Sequence, residues 1–150
     1  MNTVRLTKIF GFETGHALHG YDGKCKNIHG HSYKLYVTIL GQPIADKNDV
    51  KQGMVYDFGD LKQIVNSEII DLFDHATVLN GDSPHRALGE HLITEGHRII
   101  FTSYQPTCEN MLIDFAQRIS QKLPQNIQLH SLRLYETESS YGEWFAEDNR

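Results

Sequence analysis

His29-Gly30-His31-Ser32-Tyr33-Lys34-Leu35-Tyr36-Val37-Thr38-Ile39 alternates along its whole length. His29, His31, Tyr33, Leu35, Val37 and Ile39 share one parity, and Ser32, Lys34, Tyr36 and Thr38 share the other. That is the pattern of a strand with one buried face. Because side chains two apart leave a strand on the same side, His29 and His31 project together. Upstream, Val4, Leu6, Phe10, Phe12 and His16 also share one parity, with Lys8 and Thr14 as polar exceptions. This predicts a second strand over Val4–His16. The stretch between, with Gly20, Asp22, Gly23 and Gly30, reads as a loop. Pairing the two strands brings His16 to the other histidines. Three imidazoles without an evident fourth protein ligand describe a zinc site of the catalytic kind, with a position left for water or substrate oxygen.

The rest of the chain supplies helices for that sheet. After Met54-Val55-Tyr56, with Asp57 or Asp60 as cap, Phe58, Leu61, Val65, Ile69 and Leu72 recur at helical spacing. A shorter helix is expected from Ser83 to Gly96, with Pro84 in its first turn, followed by a short strand Ile99-Ile100-Phe101. Thr107 is the expected cap of a third helix, whose stripe is Leu112, Phe115, Ala116, Ile119 and Leu123. Pro124 follows, then closing strands from Ile127 to Thr137 and from Tyr141 to Phe145. With no evident βαβ rhythm, the pattern predicts an α+β domain with a mostly antiparallel sheet.

Composition bounds the function. A chain of 150 residues with 39% hydrophobic and 22% charged residues fits one folded domain, residues 1–150, without repeats or linkers. The net charge of -5 disfavours nonspecific binding to nucleic acid or anionic membranes, so neither is expected as a partner. No apolar run approaches the roughly 20 residues that span a bilayer, and no targeting segment is read. Two cysteines, Cys25 and Cys108, then suggest reduced thiols and a cytoplasmic location. Of nine histidines, His19, His85, His91, His97 and His130 lack ligand spacing and read as surface or core residues.

The segment Cys25-Lys26-Asn27-Ile28-His29-Gly30-His31, preceded by Phe12-Glu13-Thr14-Gly15-His16, resembles the 6-pyruvoyltetrahydropterin and 6-carboxytetrahydropterin synthase family. Further blocks follow in order: Gly53-Met54-Val55-Tyr56-Asp57-Phe58-Gly59-Asp60-Leu61-Lys62, Phe73-Asp74-His75, Pro106-Thr107-Cys108-Glu109-Asn110 and Tyr135-Glu136-Thr137. The resemblance implies a tunnelling fold: a four-stranded antiparallel sheet with two main helices packed on one face. To this the chain adds a helical and strand insertion around residues 80–105. It also implies a homo-oligomer, a trimer or dimer of trimers forming a hexamer, with sites between subunits. The spacer between Cys25 and His29 looks like that of the carboxytetrahydropterin branch. That branch converts 7,8-dihydroneopterin triphosphate to 6-carboxytetrahydropterin, acetaldehyde and triphosphate, towards queuosine. Alternatives are a pyruvoyl synthase, which eliminates triphosphate without releasing acetaldehyde, and a noncatalytic pterin- or metal-binding module.

Roles follow from chemistry and resemblance together. Zinc held by His16, His29 and His31 would stabilise oxyanion charge. Cys25, beside a dication, would take a carbon-bound proton. By resemblance, Asp74 and His75 are its catalytic partners, an Asp–His pair that shuttles protons. Glu136 is implied as the pterin anchor, since a carboxylate can accept two parallel N–H donors. Glu109 is either a second substrate ligand or a helix first-turn acid, and Thr107 either contacts substrate or only caps. Lys24, Lys26 and Arg133 are the cations considered for the triphosphate. Departures from the family pattern include Thr14-Gly15 before the first histidine, the length of Asn80–Gln105, and the ending Tyr141-Gly142-Glu143-Trp144-Phe145-Ala146.

Overall fold

Strand pairing sets the frame. In a computed structural model that describes residues 1–150, β1 (Val4–His16) and β2 (His29–Gly41) run antiparallel in unbroken register, from Val4 opposite Gly41 to His16 opposite His29. β5 (Gln128–Thr137) pairs antiparallel with β2, and β6 (Ser140–Phe145) with β5. These four strands form the expected antiparallel sheet, but the sheet does not end there. β3 (Ala76–Asn80) joins parallel to the end of β1, and β4 (Ile99–Thr102) joins parallel to β3. The four-stranded expectation is thus corrected to a six-stranded mixed sheet, ordered β4-β3-β1-β2-β5-β6.

The two extra strands and α3 (His85–Thr94) make a βαβ unit out of the 80–105 insertion. Strands of five and four residues are too short to show a rhythm in the sequence. Register fixes which face α3 covers. Ile99 pairs with Thr77, which pairs with Gly15; the alternate positions Ile100, Val78 and His16 point the other way. Gly89 of α3 packs on the Ile99 and Phe101 side, where a Cβ would come within 2.4 Å of the Phe101 ring. Only glycine permits that approach. α3 therefore lies across the sheet from the main core.

That core fills the other face. Phe10, Phe12, Tyr33, Leu35, Val37, Leu132 and Leu134 face two helical segments. One is α4 (Cys108–Ser120), capped by Thr107 as expected, which buries Met111, Leu112, Phe115, Ala116 and Ile119. The other begins as α1 (Phe58–Val65), with Asp57 Oδ1 accepting from Gly59 N at 2.7 Å. It continues through a π turn (Asn66–Ile70) into α2 (Asp71–Phe73).

The π turn corrects the expected stripe. Leu61, Val65 and Ile69 are buried, but Leu72 is 43% exposed and Phe73 is fully buried in its place. An i→i+5 turn adds a residue, so the apolar face slips by one position. Phe58, at the first turn, is also exposed at 47%. No helix is long and apolar enough to cross a membrane.

Candidate active site

Register delivers the three histidines to one corner at the end of the helix-covered face. His16 lies directly opposite His29, and His31 lies opposite Thr14 on the same side. Their ligand atoms all fall within 4.8 Å of one another. His16 Nδ1 is 2.6 Å from the Pro106 carbonyl, and His29 Nδ1 is 2.7 Å from the Asn27 carbonyl. A carbonyl only accepts, so each Nδ1 carries the proton and each Nε2 presents a lone pair. Those two Nε2 atoms stand 3.1 Å apart. Two lone pairs at that distance repel unless a cation lies between them. In tetrahedral zinc sites, two ring nitrogens about 2.0–2.1 Å from the metal stand roughly 3.3–3.4 Å apart.

The third histidine fits the same reading. His31 Nε2 is buried and makes no hydrogen bond, facing Glu136 Oε1 at 3.5 Å. Burial, above all, holds the His16 and His31 pKa values below the ordinary histidine range, with His29 adding like-charge repulsion. Neutral imidazoles are what a divalent metal requires.

Glu136 reaches this corner through a bulge. Tyr135 pairs with Tyr141 and Thr137 with Ser140, which leaves Glu136 as the extra residue on β5. Such bulges re-aim a side chain. Glu136 also lines a pocket of about 300 Å³ with Cys108, Glu109, Ser140, Tyr141 and Gly142. Glu109 sits there in the first turn of α4, exposed, so both of its expected roles are compatible with its place. Thr107 Oγ1 accepts from Asn110 N at 3.2 Å, which is the capping geometry. Cys108 is buried beneath the pocket, and burial pushes its thiol pKa up to about 11. It stays a thiol at neutral pH.

Cys25 sits half-buried in a single 3-10 turn, Lys24–Lys26, between two exposed lysines. Its carbonyl accepts from Leu18 N at 2.9 Å, which ties the turn back to the exit of β1. Asp74 and His75 form a separate unit. His75 adopts φ +61°, a left-handed conformation in which histidine is enriched among non-glycine residues. Its N donates to the Glu13 carbonyl at 2.6 Å, Glu13 N donates to Asp74 Oδ1 at 2.8 Å, and His75 Nδ1 is 3.0 Å from the same Oδ1. The adjacent acid and imidazole therefore do meet. The Glu13 N–H, more than the neighbouring His75 and Arg98, holds the Asp74 carboxyl below the usual range.

Asp74 and His75 lie outside the three-histidine cluster. His75 lines a pocket of about 360 Å³ with Glu13, Gly15, Gly30, Ser32 and Thr77, whose register positions alternate with those of the histidines, and the pocket also borders Thr14, Ala76 and His31. Arg133 also faces that side, alternating with buried Leu132 and Leu134, and its Nε and Nη2 both contact Glu143 Oε2 at 3.1 Å.

Sequence reasoning missed the supports. Arg98, in the insertion, donates to the carbonyls of Asp71, Leu72 and Asp74 at 2.8–3.1 Å and so clamps the end of α2 and the His75 turn. Pro106 and Asn27 act through backbone carbonyls, which carry no residue-type signal.

The family model for 6-pyruvoyl tetrahydropterin synthase matches residues 5–147. A 6-carboxy-5,6,7,8-tetrahydropterin synthase from Haemophilus influenzae is 35% identical over 141 residues, covering 93% of this chain and 97% of that protein. A protein of the same name from Rickettsia typhi is 36% identical over 143 residues, covering 93% and 99%. Among solved structures, an uncharacterized protein from Wolinella succinogenes matches with TM-score 0.80 at 18% identity, covering 97% of this chain and 99% of that one. The Caenorhabditis elegans 6-pyruvoyl tetrahydropterin synthase matches with TM-score 0.67 at 24% identity, covering 97% of each. At those identities the structures speak to the fold alone.

Proposed function

Since the chain belongs to the 6-pyruvoyl tetrahydropterin synthase family, we propose that it is a zinc-dependent lyase of the 6-carboxytetrahydropterin synthase kind. Its substrate is 7,8-dihydroneopterin triphosphate, and its products are 6-carboxytetrahydropterin, acetaldehyde and triphosphate. The observation that carries this reading is the convergence of two backbone-tethered imidazoles and the unpartnered His31 Nε2 beside the Glu136 pocket. The names of the curated relatives favour the carboxy product over the pyruvoyl one. The reading places the chain in the cytoplasm, on the way to 7-deazaguanine compounds.

His16, His29 and His31 would hold the ion, which when bound supplies Lewis-acid stabilisation of charge developing on side-chain oxygens of the substrate. The chain's own groups do the rest. Glu136 accepts the parallel N–H donors of the amino-pyrimidinone edge and so orients the ring. Cys25 Sγ takes the carbon-bound proton, and Lys24 and Lys26 beside it meet the triphosphate. His75, whose Nδ1 is held by Asp74, exchanges protons at Nε2.

Because Asp74 and His75 lie outside the three-histidine cluster, a complete site on this reading takes them from a second copy of the chain. A trimer, or a dimer of trimers, supplies that arrangement. The test is mass-spectrometric product analysis with zinc-loaded protein and dihydroneopterin triphosphate. Equimolar 6-carboxytetrahydropterin and acetaldehyde are expected. A 6-pyruvoyl product without acetaldehyde contradicts the assignment, and pterin binding without turnover indicates a noncatalytic module.

A further inference from the structure

Gln105 ends the segment whose length departs from the family pattern, and its side chain reaches back to the loop that carries Cys25. Its Oε1 accepts from His19 N at 3.3 Å, and its Nε2 donates to the His19 carbonyl at 2.8 Å. A backbone N–H only donates and a carbonyl only accepts, so the partners fix which way the amide points. The clamp is itself anchored. The Gln105 carbonyl accepts from Thr107 N at 2.8 Å and from Asn110 Nδ2 at 3.0 Å, at the start of α4. Next in the chain, the Pro106 carbonyl accepts from His16 Nδ1. One dipeptide thus orients a metal-corner imidazole and the backbone that leaves it.

The loop between β1 and β2 has few other ties. The remaining hydrogen bonds of residues 17–28 stay within the loop, apart from the Asn27 carbonyl on His29. Leu18, next to the clamped His19, donates its N–H to the Cys25 carbonyl at 2.9 Å. Holding His19 therefore holds the turn in which Cys25 sits. A second contact comes from the start of α3, where the His85 ring meets the His19 ring edge-on with centroids 5.0 Å apart. A loop with few ties opens at little cost, whereas a proton-transfer group has to keep its geometry to within about 0.5 Å.

We propose that Gln105 is a positioning residue, its carboxamide clamping His19 so that the Cys25 thiol stays in place for proton transfer. This rests on the reading of Cys25 as the base and gives the insertion a task, as a buttress of the loop that carries it.

The test uses zinc-loaded full-length protein and its Gln105→Ala and Gln105→Glu variants. Gln105→Glu keeps the size and the acceptor for His19 N, but it loses the donor and sets a carboxylate oxygen against the His19 carbonyl. Alkylation of Cys25 by iodoacetamide is followed by peptide mass spectrometry, with buried Cys108 as internal reference; it needs no substrate. On the same samples kcat and KM are measured with 7,8-dihydroneopterin triphosphate, together with zinc content. Both variants should alkylate Cys25 about fivefold faster than wild type and lose kcat by about the same factor, the scale of one net hydrogen bond. Cys108 reactivity, KM and zinc content should stay unchanged. Wild-type alkylation rates in both variants overturn the inference, whatever happens to kcat. Wild-type behaviour of Gln105→Glu alone also overturns it, since bulk rather than the clamp would then hold the loop. Faster alkylation with unchanged kcat, or loss of zinc, assigns Gln105 to the fold or to the metal corner and likewise overturns it. If the wild-type protein turns over no dihydroneopterin triphosphate, the proposed function falls, and the alkylation rates alone decide the clamp.

Discussion

The histidine corner and the Asp74–His75 turn are built in opposite ways. The corner lies on the helix-covered face with His16 buried and His29 and His31 half-buried, and strand register alone brings His16 to His29. The turn is exposed, with the His75 side chain 74% accessible, and a left-handed residue clasped by the Glu13 backbone shapes it. One is preorganised by the sheet and its core. The other is held by three polar contacts among Glu13, Asp74 and His75 and by Arg98 on the Asp74 carbonyl. The difference teaches that strand register and a backbone-clasped turn fix side chains in different ways, and the proposed function needs both.

The contrast can be broken first at its chemistry. His75→Ala should keep its metal and lose turnover by about 10²–10⁴, the usual contribution of a positioned acid–base group. Co-expressed with His31→Ala, it should recover part of the activity in mixed oligomers, read by product formation. Recovery is expected only if the two halves come from different chains.

At the rigid half, Phe73→Ala should destabilise the fold by about 3–5 kcal/mol in denaturant melts, because the π turn makes Phe73 the buried ring there. Leu72→Ala, at a half-exposed position, should cost less than half of that. Equal costs would mean the apolar face had not slipped.

At the tethered half, Arg98→Ala removes the clamp on Asp71, Leu72 and Asp74. A loss of about 1 kcal/mol in stability is expected, together with reduced turnover and full metal content. Finally, the Asp74 carboxyl lies below its ordinary value, chiefly through the Glu13 N–H. The unfolded aspartate titrates near 3.9, or about pH 4. The contribution is therefore complete above that pH and is lost as pH falls through the lower folded value. Asp74→Asn should flatten the acid limb of the melting-temperature profile below about pH 4, and leave the neutral limb in place.

The same division governs what could be read from residues. β1 and β2 were legible because alternation is a period-two signal, and parity alone puts three imidazoles on one face. Thr107 and Asp57 were legible as caps for the same local reason. The His75 turn could be named only by resemblance, since its φ and its bonds to Glu13 join residues 61 or 62 apart. β3 escaped because a strand so short has no period to show, whereas β4 was read as Ile99-Ile100-Phe101 without its parallel pairing to β3. The slip from Leu72 to Phe73 escaped because a π turn leaves the helical spacing of the sequence looking regular. Glu136 carried no sign of its bulge.

The most direct test of the rigid half is metal analysis of the purified chain and of His31→Ala. The account predicts about one zinc per wild-type chain, the stoichiometry of a single three-histidine site, and none in the variant. Wild-type protein that takes up no zinc from a zinc-supplemented preparation, or a variant that holds as much as the parent, would contradict it.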